Sequence, residues 1–353
     1  MPIGVLGDRL RPRSQTVAEG SARVIARRPA ILLIAAVLLA LCLLASLFVG
    51  SSRIPAGQVA HYLLHPDASN LSYNINVLRV QRTIVGVLVG TALAVAGAIM
   101  QAVTRNPLAE PGLLGVNAGA SLGIVLGTAV LGVLPVPGQL LLAAGGALTA
   151  TALVQVIGMI GGSTSSPVRL VLIGVAFSAF AGAVIRGVVL TMPNLFRTFI
   201  DWEVGSLTRT DIPLLPVAAL VAAGTGAAIL LAGALDNIAL GDDVAAALGT
   251  RVGLVRGLSL MVVTLLCATA TTVAGPIGFV GLMAPLTASW LMGPHRGWIV
   301  ALCALGGPVV VLAADVLGRV LARPGEMQVG LLTAFVGSPV LLLMVLRMKD
   351  RAS

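Results

Sequence analysis

The sequence predicts an all-α, polytopic membrane protein with ten transmembrane helices. Three observations support this prediction: charged side chains are scarce, the gaps between them match the length of a membrane-spanning helix, and basic residues gather at both ends of the chain. Only 10% of the 353 residues are charged and 58% are hydrophobic, whereas a soluble domain carries about 25% charged residues. Most side chains are therefore expected to avoid water.

The uncharged gaps place the helices in order along the chain. No charged residue lies between Arg82 and Arg105, for example, and such a gap is about as long as a helix needs to cross a hydrocarbon core roughly 30 Å thick. The two longest gaps hold two helices each, divided at the turn Pro135–Gly138 and near Gly275–Pro276. The predicted helices span residues 30–50, 83–104, 112–134, 138–160, 168–192, 212–235, 257–275, 277–293, 298–320 and 329–347.

Basic residues at both termini predict the orientation of the chain. Residues 1–28 carry six arginines, and residues 347–351 carry three more basic residues. An even number of helices puts both termini on one side, and Lys and Arg concentrate on the cytoplasmic side of a membrane. We therefore expect a multi-pass protein of the plasma (inner) membrane with both termini in the cytoplasm, a disordered basic tail over residues 1–28, and a helical domain over residues 29–350. Orientation, and not nucleic-acid binding, accounts for the net charge of +9.

The sequence contains no recognisable catalytic or cofactor site. It lacks a phosphate-binding loop, the H-E-x-x-H zinc motif and the G-x-S-x-G nucleophile motif. Its three cysteines and three histidines show no metal-ligand spacing. We therefore expect a transport subunit that is not an enzyme, binds no metal or cofactor, and draws its energy from another protein.

Asp315 keeps a second interpretation open. It is the only acidic residue well inside a predicted helix, and Arg319 follows it at the (i, i+4) spacing of a structural ion pair. An intramembrane carboxylate could instead carry a proton or accompany an ion. An ion-coupled secondary transporter is therefore an alternative, and so is a membrane-embedded enzyme, although no nucleophile and base can be named for it.

Two polar segments interrupt the hydrophobic pattern. In the first, Pro107 and Pro111 end the second helix, while Asn106 and Glu110 can satisfy freed backbone groups or contact a partner. The second segment, residues 236–256, predicts one or two short amphipathic helices on the cytoplasmic face. Asp242 and Asp243 favour the start of a helix there, and Gly249 favours its end. This segment is either a docking surface or a simple connector.

Several long motifs, in order and at matching distances, resemble the FecCD-type permeases of bacterial ABC importers for ferric siderophores, haem and cobalamin. The resemblance covers about residues 30–347, and the motif around residues 104–121 looks most like the ferric-enterobactin, or catecholate, branch. The motifs are RVQRTIVGVLVGTALAVAGAIMQAVTRNPLAEPGLLGVNAGAS at 79–121, SPVRLVLIGVA at 166–176, LGDDVAAALGTRV at 240–252, AGPIGFVGLMAP at 274–285 and LLTAFVGSPVLL at 331–342.

The resemblance implies the type II ABC importer permease fold and a set of partners. The family pairs each permease with a second permease subunit, identical or different, and with two cytoplasmic ATPase subunits that bind ATP and Mg²⁺. A periplasmic or lipid-anchored siderophore-binding protein delivers the ferric siderophore; haem and cobalamin are the alternative cargoes.

The resemblance also assigns roles to residues. In the family, matching arginines dock the binding protein, although they could instead anchor lipid phosphates; these are Arg79, Arg82 and Arg319. Coupling helices over about residues 238–253 contact the ATPase through Leu240, Gly241, Asp242, Asp243, Ala247, Leu248, Gly249 and Arg251. A polar loop with Ser163, Thr164 and Ser165 forms the cytoplasmic gate, or is an ordinary turn. The chain departs from the family pattern at Gln81, Leu286 and Gln328.

Overall fold

The computed structural model describes residues 13–352 apart from 53, 161–166, 193–198, 201 and 211. This part of the chain is helical and contains no strands. The long helices are α1 (Arg13–Phe48), α2 (Val80–Thr104), α3 (Val116–Leu131), α4 (Val136–Met159), α5 (Pro167–Thr191), α6 (Leu214–Ala239), α7 (Val252–Ala274), α8 (Val280–Met292), α9 (Arg296–Leu321) and α10 (Val329–Ala352).

Each of the ten predicted spans coincides with one of these apolar helices. Within the described residues, seven helical segments are long and apolar enough to cross a membrane, among them the continuous helix Asn70–Thr104 that includes α2. The apolar parts of α3, α8 and α10 are shorter, at 10–17 residues each. The all-helical membrane fold is confirmed, whereas the number of ten crossings stays a prediction.

Left-handed backbone explains why two helices begin later than predicted. Residues Pro111–Leu114 form a single turn of 3₁₀ helix, and Gly115, with a φ of 79°, separates that turn from α3. Before α8, Gly275 has a φ of 75° and Phe279 a φ of 68°. Such angles interrupt an α-helix, so α3 starts at Val116 instead of residue 112, and α8 starts at Val280 instead of residue 277. Helix α1 instead begins earlier than predicted, at Arg13, within the segment predicted as a tail.

Helix α2 lies at the centre of the molecule. Most of it is buried, whereas only a small share of the apolar residues of α1, α5 and α6 is buried. It packs against α6, α7, α8 and α9, and small residues allow the closest approaches: Gly97 faces the backbone of Gly281, and Gly90 faces that of Gly307 and Pro308. Small residues are favoured where membrane helices touch, because lipid provides no hydrophobic drive for their association.

The two ends of α2 define the two ends of the molecule. Arg82 lies in its first turn, at what we call the arginine end, and Arg105 follows its last residue, at what we call the elbow end. The elbow, Leu240–Arg251, joins α6 to α7 and contains the short helix Asp242–Ala247. This short helix agrees with the prediction for residues 236–256, and Gly249 ends it with a φ of 82°.

Candidate functional site

A buried ion cluster forms the core of the arginine end. Asp315, on α9, has no exposed surface; it accepts hydrogen bonds from Arg82 on α2 and forms a salt bridge with Arg319 on α9 itself. Arg82 donates from Nη2 at 2.7 Å and from Nε at 3.0 Å to Oδ1, and Arg319 places Nη2 2.8 Å from Oδ2. Two cations share one carboxylate, so Asp315 lies between fixed partners and is held in place by both of them.

Further contacts of the cluster are with main-chain carbonyls near the end of α1. Arg319 donates to the carbonyls of Ser46 and Val49 at 2.8 and 2.9 Å. Arg79 donates to the carbonyl of Leu47 at 3.0 Å. Both arginines are buried. The structure therefore brings the three predicted docking arginines together, but it engages them with this chain's own groups; their docking role stays a prediction.

Glu326 is a member of this cluster that the sequence analysis did not identify. It precedes α10, and its Oε2 lies 2.5 Å from Nη1 of Arg82, while Ser51 donates to Oε1 at 2.8 Å. Burial alone would raise the pKa of Glu326, but the Arg82 hydrogen bond and charge outweigh it and lower that pKa. Arg79, Arg82, Arg319 and Glu326 line a cavity of ≈ 260 Å³ at this end.

The segment between α2 and α3 returns from the elbow end into the middle of the molecule. Asn106 stays local, and its Oδ1 accepts the amide of Leu108 at 3.0 Å. Pro107 is exposed, whereas Pro111 is buried against Gly281 in the first turn of α8. Irregular backbone at such depth is tolerated where protein covers it, and here α2, α5 and α8 provide the cover.

Glu110 satisfies a freed backbone group at the start of α8. Its Oε1 accepts a hydrogen bond from the amide of Phe279 at 3.1 Å. Phe279 has left-handed backbone and immediately precedes the helix, so the carboxylate lies at a helix N-terminus, where negative charge is favoured. Of the two roles predicted for Glu110, the structure shows the contact with freed backbone, and a contact with a partner stays a prediction.

We expect Glu110→Ala to destabilise the protein and Glu110→Gln to be tolerated. Alanine leaves the half-buried amide of Phe279 without its acceptor, which costs up to about 1–3 kcal/mol, whereas the glutamine oxygen can still accept. Thermal unfolding of both variants in detergent measures the difference. Equal losses in the two variants would show that the charge, and not the hydrogen bond, is what α8 requires.

The elbow presents an apolar face to its surroundings. Leu240, Val244 and Leu248 are 64%, 46% and 58% exposed; Val244 lies within the short helix, and the other two lie just before and just after it. Ala247, Asp243, Gly249 and Arg251 are exposed around them. Gly241, with a φ of 119°, and Gly249 provide the left-handed turns at the two ends of the short helix.

Asp242 fixes the elbow to two other helices. Its carboxylate receives Arg256 of α7 through two hydrogen bonds, of 2.9 and 3.0 Å, and Arg105 at the end of α2 through a third. Burial alone would raise the pKa of Asp242, but the hydrogen bonds and charges of Arg256 and Arg105 outweigh it and lower that pKa. Asp242 is therefore ionised at neutral pH. Arg105 lies 137 residues away in sequence and Arg256 lies 14 residues away, and only the folded structure reveals them as its partners.

The remaining predicted residues fall into two groups. Ser163, Thr164 and Ser165 lie outside the described residues, so their role as a gate stays a prediction. At the departures from the family pattern, Gln81 and Gln328 are half-buried, and Leu286 is buried in α8. Among the described residues no group of three His, Cys, Asp or Glu side chains could hold a metal ion.

Comparisons with known proteins agree with this architecture. The family model of the FecCD transport family matches residues 38–347. The ferric enterobactin transport system permease protein FepD of Escherichia coli K12 is 42% identical over 303 residues, which cover 86% of this chain and 90% of that protein. The Fe(3+)-citrate import system permease protein YfmD of Bacillus subtilis is 37% identical over 298 residues, covering 84% of this chain and 88% of that protein.

A solved structure has the same fold. It is a metal-chelate type ABC transporter in an inward-facing conformation, with a TM-score of 0.79 and 24% sequence identity. The match covers 90% of this chain and 99% of that chain.

Proposed function

The chain belongs to the FecCD transport family of ABC transporter permease subunits, and on that basis we propose that it carries a ferric siderophore across the inner membrane. In this proposal the elbow end faces the cytoplasm together with both termini, and the arginine end faces a periplasmic or lipid-anchored siderophore-binding protein. The chain pairs with a second permease subunit, and two ATPase subunits bind at the elbow and supply the energy.

The observation that carries the proposal is the elbow itself. Three exposed apolar side chains lie on the short helix or directly beside it, with Val244 inside the helix, Leu240 before it and Leu248 after it, and ion pairs to α2 and α7 fix its position. An apolar helix face is the type of surface that a hydrophobic groove on a partner recognises. An ATPase that binds this face can move three helices at once, because the elbow continues α6 and α7 and is bonded to the end of α2.

At the arginine end, the proposed docking of the binding protein replaces one carboxylate partner of Arg82 by another. Arginine presents a rigid fork of donors that matches a carboxylate. Arg82 already holds one such carboxylate, Glu326, in a half-exposed position before α10. In the proposed complex a carboxylate of the binding protein takes the place of Glu326 on Arg82, while Asp315 keeps the arginine in position.

A ferric siderophore is the proposed cargo because the ferric enterobactin and ferric citrate permeases align over most of this chain. Uptake into proteoliposomes that hold the complete importer tests it against the alternatives. The proposal predicts that a ferric catecholate is imported in preference to haem and cobalamin. Preferential import of haem or cobalamin would leave the permease assignment intact and contradict the cargo.

Val244→Glu tests the elbow as the ATPase docking surface. If Val244 docks in an apolar groove of the ATPase, the glutamate would place a charge in that groove. We expect this to weaken binding by about 2 kcal/mol or more, which is roughly 30-fold in Kd. The measurement is the affinity of the partner ATPase for the purified permease. Val133→Glu, at an exposed position in the loop between α3 and α4, is the matched control. Unchanged binding in Val244→Glu would contradict docking at this face.

A further inference from the structure

Asp242 is the one elbow carboxylate that contacts two helices beyond its own short segment. Its Oδ2 receives Nη1 of Arg256 at 2.9 Å, and its Oδ1 receives Nη2 of Arg256 at 3.0 Å together with Nη2 of Arg105. Arg256 lies in the second turn of α7, and Arg105 directly follows α2. The carboxylate therefore joins the ends of two helices that are far apart in sequence.

The short elbow helix depends on this carboxylate for its bond to α2. Its backbone packs against α6 and α7, the helices that it connects. Its bond to α2 is instead ionic, through a residue with left-handed backbone: Arg105 has a φ of 50°. That conformation turns the chain sharply at the end of α2 and directs it into the segment that leads to Glu110.

Hydrogen bonds connect the end of α2 to α8, so that a displacement of this end would also displace the beginning of α8. In the last turn of α2, Gln101 donates from Nε2 to the carbonyl of Leu282 at 3.2 Å. Six residues beyond the end of α2, Glu110 accepts the amide of Phe279. Both contacts are with the beginning of α8. Hydrogen bonds therefore connect α2 and the segment after it to the same end of α8.

The exposure of the ion pair argues against a role that is mainly structural. The Arg105 side chain is 37% exposed and that of Asp242 is 43% exposed, and ion pairs in such positions contribute little to stability. The bond is therefore strong enough to specify geometry and weak enough to change partners during a conformational cycle. A buried pair, like that of Asp315, also specifies geometry but is not free to change partners in this way.

We propose that Asp242 acts as a joint, coupling displacement of the elbow to α2 through Arg105 and to α7 through Arg256. The three residues are positioning residues: they convert the movement imposed by a partner ATPase into movement of the wall of the transport path. The inference rests on the proposed function, because it requires an ATPase that pushes on the elbow.

The test compares Arg105→Gln and Arg105→Lys with the wild-type permease in proteoliposomes that contain the partner ATPase. Three quantities are measured: ATPase affinity, thermal stability and the cargo imported per ATP hydrolysed. For Arg105→Gln we expect the first two to be unchanged and the third to fall about fivefold or more, which is the usual range for coupling between sites. Arg105→Lys keeps the charge and should retain most of the import.

Arg27→Gln is the matched control, because Arg27 is an exposed arginine at the same end of the molecule, on α1. It should import as the wild type does. Normal import per ATP in Arg105→Gln would contradict the proposal that Asp242 couples the elbow to α2. A loss of import explained by weaker ATPase binding or by lower stability would contradict it as well. If the wild-type permease bound no ATPase, both the proposed function and this inference would fail. If ATP-driven import were normal in Arg105→Gln and in Arg105→Lys, only the inference would fail.

Discussion

Asp315→Asn is expected to destabilise the protein by about 3–5 kcal/mol, the usual consequence of removing one partner from a buried ion pair. The substitution leaves Arg82 and Arg319 close together without the charge that balances them. Their distances to Asp315, 2.7 and 2.8 Å, show that both arginines depend on it. The measurement is the fraction of purified permease that remains folded in detergent as the temperature rises.

Two further variants make this result specific. Asp67→Asn changes an exposed carboxylate and should leave stability unchanged, because the asparagine oxygen can still accept the hydrogen bonds of Ser69. Combining Asp315→Asn with Arg319→Met should restore part of the loss, because Arg82 then keeps Glu326 as its counter-charge. If Asp315→Asn were as stable as the wild type but inactive in transport, Asp315 would be a proton-carrying group and the secondary-transporter alternative would gain support.

Gly97→Ala is expected to produce the second large effect, by separating α2 from α8. A Cβ atom at this position would overlap the carbonyl oxygen of Gly281, and a backbone atom cannot rotate away as a side chain can. Overpacking of a close contact costs typically 1–3 kcal/mol. The displacement also moves Glu110 and Gln101 relative to the start of α8. Folding yield and ATP-driven import should therefore fall together in this variant.

Gly306→Ala provides the comparison for Gly97→Ala. Gly306 is a half-buried glycine on α9, and a Cβ there would meet no atom of the described chain within 4 Å. The same added methyl group should be neutral or slightly favourable at this position, because alanine is a better helix former than glycine. Equal effects at the two positions would contradict close packing of α2 on α8.

The positions of the helices were predictable from the sequence, because charge is excluded from the hydrocarbon core. The prediction of 212–235 for α6 differs from the structure, Leu214–Ala239, by a few residues at each end. The start of α8 was not predictable in the same way. It depends on the left-handed backbone of Phe279 and on Glu110, a residue far away in sequence. Hydropathy contains no information about either.

The candidate site was predictable only in part, for a related reason. The motifs identified the elbow and the three arginines, and the structure brings those arginines together. The partners were missed: Glu326 for Arg82, and Arg105 and Arg256 for Asp242. These pairs join residues 14 to 244 positions apart, so only tertiary packing determines them. A pair at (i, i+4) within one helix, such as Asp315 and Arg319, is the kind of pair that a sequence reveals.

The central claim is that these helices form a passive, movable wall and that the work is done by an ATPase bound at the elbow. ATP-driven accumulation of a ferric siderophore in proteoliposomes tests it most directly, with the binding protein present and the ATPase included or omitted. The account predicts accumulation only when both ATP and the ATPase are present, and its loss in Val244→Glu. Accumulation without the ATPase, driven by an imposed proton or sodium gradient, would contradict the account.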